Sequence, residues 1–331
     1  MEQLDAAPGT VAFKDRKIGL IIFGVLTALM GCFCALLGVM MALTQAAVAA
    51  AGKAPPPNQP VWLVPVFFGG IAAGMIWLGV GSILARRWAR TLLLIASSAW
   101  LITGTIGLAF MAAMAPALMK AMEQQAESDG KPMPPRMGAA VIVMMAVMFS
   151  CMYFILPACW TLFYRSRHVK ATCEALNPAP CWTDRCPTTV LAVSLWLAIT
   201  APFMLVMPAA YHSVVPFFGS YLSGPAGAVI YVVSAIAFAW AAWGMYRLDV
   251  RAWWLTVAMF VLYSISSVIT TSRTSLEEMY RQMQVSPEQL EQIRQFGDMG
   301  GRGMAWMSLL FTVAILGYMG FIKKHFRGVG A

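Results

Sequence analysis

The chain has 331 residues, of which 60% are apolar and 11% charged, and its mean hydropathy is +0.71. A soluble globular protein carries about 25% charged residues, so this surface is too poor in charge to face water, and a bilayer must cover most of it. The net charge of +9 then reads as a topology signal, and no nucleic-acid partner is expected.

Eight apolar runs follow in chain order, near 18–43, 61–85, 91–115, 137–163, 188–210, 226–246, 252–272 and 303–322. Each approaches or exceeds the roughly 20 residues a helix needs to cross about 30 Å of hydrocarbon. The alternating pattern of a membrane β-barrel is absent. The expected fold class is therefore an all-α integral membrane protein with about eight transmembrane helices, the form that satisfies its own backbone in lipid.

Lys and Arg fall outside these runs or at their margins and divide unevenly between alternate loops. Fifteen lie on one side, in the segments around Lys14–Lys17, Arg86–Arg90, Arg165–Arg185, Arg247–Arg251 and Lys323–Arg327, and eight lie on the other. With six acids on the first side and eight on the second, the first carries +9 and the second zero. A Lys and Arg excess marks the cytoplasmic side. Both termini are expected there, in a cell membrane that we read as a bacterial inner membrane. No cysteine lies in an opposite-side loop, so no structural disulfide is expected on that face. Ala47–Ala51 resembles a signal-cleavage site, but the apolar run before it is longer than the about 7–15 residues of a signal core, so the first span is expected to be retained.

Sliding the chain by 161 residues sets Arg90 on Arg251, Thr103 on Ser264, Thr105 on Ser266, Lys120 on Arg281 and Met122 on Met283. This pattern predicts two fused four-helix units, 18–164 and 188–325, as a parallel internal repeat with a pseudo-twofold axis along the membrane normal. A cytoplasmic segment (1–17) precedes them, and a turn-rich linker (165–187) joins them. The third span of each half is expected to run past the membrane, to about 126 in the first and about 285 in the second. Ser275 with Glu278, and Ser286 with Pro287 and Gln289, read as helix N-caps of two short outer helices within 275–297. Tyr280 and Leu290 give these helices apolar faces where a partner would dock; capping of the bundle is the plainer account.

The spans hold no Asp, Glu, Lys, Arg or His near their middles. Such groups mark proton relays and ion paths, so proton-coupled transport and intramembrane hydrolysis are disfavoured. Met144, Met148 and Met152 recur on one helical face. Soft thioethers suit Cu(I), although methionine more often fills gaps. His168, Cys173, Cys181 and Cys186 offer three thiols and an imidazole for a tetrahedral metal, without a familiar CxxC spacing. The adjacent run Arg165–Lys170 would suit anionic headgroups, although the inner flank of a span is basic in any case. Hydroxyls at Thr103, Thr105, Ser264 and Ser266 would line a polar path, or bond back to their own helices. Pro202 and Pro208 interrupt the fifth span beside Tyr211 and His212, and broken spans frame binding sites in transporters.

No phosphate loop, nucleophile elbow or zinc-helix motif occurs, so neither an enzyme nor a cofactor is expected. The leading expectation is a non-catalytic bundle acting through packing with partners: an assembly subunit, a scaffold or a sensor. The alternative is a permease or channel for a neutral or soft solute, with its path between the repeats. Expected partners are the lipid bilayer and other membrane proteins or a second copy of the chain.

Overall fold

A helix closes its own backbone hydrogen bonds, and each apolar run does so in the computed structural model of the protein. The structure describes residues 13–50, 63–128, 137–210, 213–283 and 297–326. Among these, eight helices are long and apolar enough to cross a membrane. They are α1 (Lys17–Ala50), α2 (Leu63–Ile83), α3 (Arg87–Ser128), α4 (Met137–Ser150) running through a π-turn into α5 (Leu156–Arg165), α7 (Thr188–Ala210), α8 (Gly224–Tyr246), α9 (Val250–Arg273) and α11 (Gly297–Ile322). Two short helices, α6 (Arg167–Leu176) and α10 (Leu276–Gln282), follow α5 and α9. The expected all-α membrane fold is the fold observed, and the spans place the chain in a lipid bilayer.

α3 holds 42 residues with Pro116 inside it, about 63 Å of helix at 1.5 Å per residue. It outruns the hydrocarbon as expected. The matching expectation for the second half needs correction, because α9 stops at Arg273. Thr274 turns extended, and both its amide and its hydroxyl bond the Thr270 carbonyl, at 2.9 and 2.7 Å. Short hydroxyl side chains compete with the helical ladder in this way. Ser275 then caps α10 by accepting from the Glu278 amide. The second predicted cap, at 286–289, lies outside the described residues.

The chain divides into two compact units, Met1–Phe33 with Ala72–Trp182, and Cys34–Ile71 with Thr183–Ala331. In the first, the core gathers at the basic end around Leu20, Leu93, Trp160, Tyr164, Val169 and Cys173. Phe23 stacks on Phe163 at 4.2 Å and meets the edge of Trp160 at 4.9 Å. The Tyr164 hydroxyl pairs with that of Ser82 at 2.7 Å, and Ser82 donates onward to the Leu20 carbonyl. One polar chain thus ties α1, α2 and α5. In the second unit, Ser194 donates to the Ala242 carbonyl (α7 to α8), Trp253 to the Met319 carbonyl (α9 to α11) and Tyr318 to the Thr189 carbonyl (α11 to α7).

The turns that precede α3 and α9 are built alike. Ala85 and Leu248 sit at positive φ (51° and 60°), and the amides of Arg86 and Asp249 each reach back to a glycine carbonyl, Gly81 and Gly244, at 2.9 Å. This is a Schellman closure with a non-glycine residue in the left-handed position. The two turns stand 163 residues apart, two more than the 161-residue register that aligns the polar positions.

The fourth span carries the main helical irregularity. Pro157 has no amide to give, and just before it the helix widens into a π-turn at Cys151–Ile155, closed by the Leu156 amide on the Cys151 carbonyl. The Tyr153 carbonyl, without its usual partner from residue 157, lies against Gly104 of α3 so closely that a Cβ there would overlap it. Gly104→Ala should therefore lower stability by about 1–3 kcal/mol, because backbone and not a flexible side chain would have to move. Gly70→Ala, where nothing lies within 4 Å of an added Cβ, should be close to neutral. Thermal unfolding of the two variants in detergent tests the contrast.

Candidate functional site

The segment between α7 and α8 folds as a two-stranded hairpin: β1 (Val215–Phe217) against β2 (Ser220–Leu222), with Val215 opposite Leu222. Its two-residue turn, Phe218 and Gly219, has φ of 41° and 104°. Positive values at both positions suit the right-handed twist of a hairpin. Tyr231 of α8 donates to the Val214 carbonyl at 2.8 Å. Gly227 approaches the Ser213 carbonyl so closely that no side chain fits between them. Val214, Val215 and Tyr221 are buried, while Phe217 and Phe218 remain exposed.

This hairpin docks on the hydroxyl face of α9. The Phe218 amide donates to Ser266 Oγ at 3.1 Å, and Ser266 donates in turn to the Pro216 carbonyl at 2.9 Å. The Gly219 amide donates to Thr270 Oγ1 at 3.0 Å, and the Arg273 side chain lies along Gly219. Ser266 stands about 24 Å up α9 from Val250, within a hydrocarbon layer of about 30 Å. At that depth an amide without a partner costs several kcal/mol. Ser266 and Thr270 supply that partner. Both are buried, with Thr270 fully enclosed.

The remaining predicted site residues take other positions. Ser264 is buried and accepts from Thr312 of α11 at 2.8 Å. Thr103 and Thr105 are exposed and donate to carbonyls of their own helix: Thr103 to Ala99 and Trp100, Thr105 to Leu101. The register of 161 residues thus pairs exposed threonines with buried serines. Pro202 and Pro208 both lie inside α7, which remains helical through them. Tyr211 and His212 lie outside the described residues, as does Leu290. Tyr280 is half-buried on α10.

No protein-family model, curated protein or solved structure matches this chain. Its own residues carry the functional reading.

Met144, Met148 and Met152 lie on an open face of the fourth span, 65%, 66% and 48% exposed. The four candidate metal ligands at the basic end are dispersed in role. His168 Nδ1 accepts the Lys14 amide at 3.3 Å, and Cys173 is buried in the core of the first unit. Cys181 is half-buried, and buried Cys186 donates weakly to the Pro187 carbonyl. Among the described residues no group of three His, Cys, Asp or Glu is placed to hold a metal. Burial pushes the Cys173 thiol up to about 11, although Arg90 and Arg87 pull it down, and burial alone takes Cys186 to about 11.

Sequence reasoning weighed the hydroxyls of α9 as a path or as packing and missed the hairpin they hold. The signal was present as two short apolar stretches flanking Phe218–Gly219. Replacing Ser266 and Thr270 together by alanine should free the hairpin amides and raise their hydrogen exchange, with little change in exchange of the α7 core. The raised thiol values make a second test. Cys173 and Cys186 should resist maleimide at pH 8 in the folded protein, where burial keeps them neutral, and react once the chain is unfolded. The neutral form is favoured up to about pH 11, so any stability these two thiols give is complete below about pH 9 and lost as pH rises through 11. Mass spectrometry of peptides labelled across that range reads the outcome.

Proposed function

We propose that this protein is a non-catalytic membrane bundle that acts through packing against other membrane proteins, as an assembly subunit, a scaffold or a sensor of its surroundings. The observation that supports this is where the intramembrane hydroxyls go. Ser264 joins α9 to α11, Ser266 and Thr270 hold the hairpin, and Ser194 and Ser82 tie neighbouring helices. These groups bond to hydroxyls and main-chain atoms, so among the described residues they form no row of free donors along a route for solute.

The face offered outward is instead apolar and adaptable. The fourth span presents Val143, Val147 and the three methionines, and its most apolar stretch has no buried residue. Methionine suits such a face because its unbranched thioether repacks against varied partners. The basic side, in this reading, is cytoplasmic.

Native mass spectrometry after gentle extraction tests the proposal. We expect a protein partner in fixed stoichiometry, which the combined Met144→Ala, Met148→Ala and Met152→Ala variant loses while its helical content and thermal unfolding stay unchanged. A lone chain carrying a small molecule once per protein would overturn the proposal. It would favour a permeation role instead.

A further inference from the structure

We propose that the basic end of the first unit is a binding site for the headgroup of an anionic phospholipid, assembled where the segment before α1 straps onto α6. This inference is independent of the packing role proposed above.

The strap is defined by two bonds. The Lys14 amide donates to His168 Nδ1 at 3.3 Å, and the Arg16 amide donates to Thr172 Oγ1 at 3.1 Å. Residues 13–16 therefore lie along α6, one turn of which separates the two acceptors. Just beyond, Gly19 of α1 packs on the Phe163 ring of α5, which brings the start of α1 beside the end of α5. Lys14, Arg16 and Lys17 thus converge with Arg165, Arg167 and Lys170, which lie some 150 residues later in the chain.

Among the described residues these cations have few counter-charges. Glu174 is engaged by Arg87 at 3.6 Å and by Lys170 at 3.8 Å. Asp15 accepts the Lys17 amide. Among the described residues, the side chains of Arg16, Lys17, Arg165 and Arg167 enter no ion pair, and all four residues are exposed. Ser166 caps the N-terminus of α6 beside them, and that end adds its own partial positive charge. Like charges drawn together at one place repel, and the fold holds them there through the Lys14 and Arg16 amides, which donate to the His168 and Thr172 side chains.

A general inner-side excess of Lys and Arg does not account for this arrangement, as the second unit shows. At its basic end Lys323 lies over Trp253 and Trp254, at 4.7 and 4.8 Å from the ring centres. Arg247 lies over Trp243 at 5.2 Å, and Lys324 over Phe321 at 4.4 Å. There, aromatic faces take up these three charges. In the first unit Arg16, Lys17, Arg165 and Arg167 have no such ring among the described residues and are left for an external anion.

Position identifies that anion as a lipid. Lys17 opens α1 and Arg165 closes α5, so the patch lies at the level of the headgroups. Immediately beneath it Ile18 and Leu162 are 76% and 70% exposed, as befits contact with acyl chains. A phosphodiester meets the guanidinium groups while its chains lie along Ile18 and Leu162. A free phosphate would use only the first half of the site.

The test uses the full chain purified in mixed micelles and titrated with phosphatidylglycerol or phosphatidylcholine, with bound lipid counted by native mass spectrometry. We expect preferential retention of phosphatidylglycerol. The variant carrying Arg16→Gln, Lys17→Gln, Arg165→Gln and Arg167→Gln should bind it at least about tenfold more weakly, in line with the pull of each basic residue near an anionic surface. The charge-conserving Arg16→Lys, Arg165→Lys, Arg167→Lys variant should keep most of the affinity. Neutralising Arg185, Arg247, Arg251 and Lys324 instead should leave it near the wild-type level.

Equal loss in both neutralised variants, or equal retention of the two lipids, would overturn the site. Competition by inorganic phosphate as effective as that by the lipid would also overturn it, in favour of a soluble anion. Hydrogen exchange on the wild-type protein covers the case in which neutralised chains fail to insert. The amides of 13–17 and 165–172 should gain protection with phosphatidylglycerol and not with phosphatidylcholine; unchanged exchange would count against the site.

Discussion

Hydrocarbon offers a polar group no partner, and everything polar inside this protein is arranged around that fact. The mid-span regions contain no ionised side chain at all, so no charge is placed at the centre of the bilayer. What remains are hydroxyls, indole and phenol groups and backbone. The chain from Tyr164 through Ser82 to the Leu20 carbonyl, and the bonds from Ser194, Trp253 and Tyr318 to carbonyls of neighbouring helices, satisfy donors while fixing which helices touch. Interhelical bonds in membranes average only about 0.6 kcal/mol. Their effect is on geometry more than on stability. Close approach and ring stacking, such as Phe23 on Phe163 and Trp196 on Phe260, supply the contact area.

Two interruptions of regular backbone obey the same constraint. At Pro157 the helical ladder loses a donor, and the neighbouring turn widens until α3 can bring the bare face of Gly104 onto the Tyr153 carbonyl. In the hairpin the surplus groups are amides, and Ser266 and Thr270 accept from them. One case needs an approach that a side chain would block, and the other needs an acceptor at a set height on α9. In both, irregular backbone within the membrane survives because a neighbouring helix was shaped to receive it.

This explains why the sequence was legible in some places and opaque in others. The spans could be read because length and hydropathy are properties of each segment alone; the predicted 188–210 coincides with α7, and α2 and α8 end within two residues of expectation. The end of α3 beyond the membrane was legible for the same reason. The hairpin was not, because Phe-Gly is an unusual pair for such a turn and the acceptors that hold it lie some fifty residues away in α9. Nor was the role of each hydroxyl legible. Thr103 and Ser266 look alike in sequence, yet one bonds to its own helix and the other to a distant strand. The offset between the two Schellman turns, 163 against 161, shows how similar residues and similar geometry can fall out of step along one chain.

The two basic ends illustrate the same separation between charge as a topology signal and charge as a local property. A count of Lys and Arg treats Lys323 and Arg165 as equivalent, because either one resists transfer across the bilayer. Their surroundings do not. An ammonium between two indoles has exchanged part of its water for ring faces and helps to anchor the end of α11 to α9. A guanidinium beside other cations, with neither ring nor carboxylate described against it, keeps its full demand for an anion. Where a sequence places a basic cluster only for orientation, the fold is free to spread it or cover it. The first unit does neither: it commits two main-chain amides, donating to the His168 and Thr172 side chains, to holding the strap, and its cations, against α6.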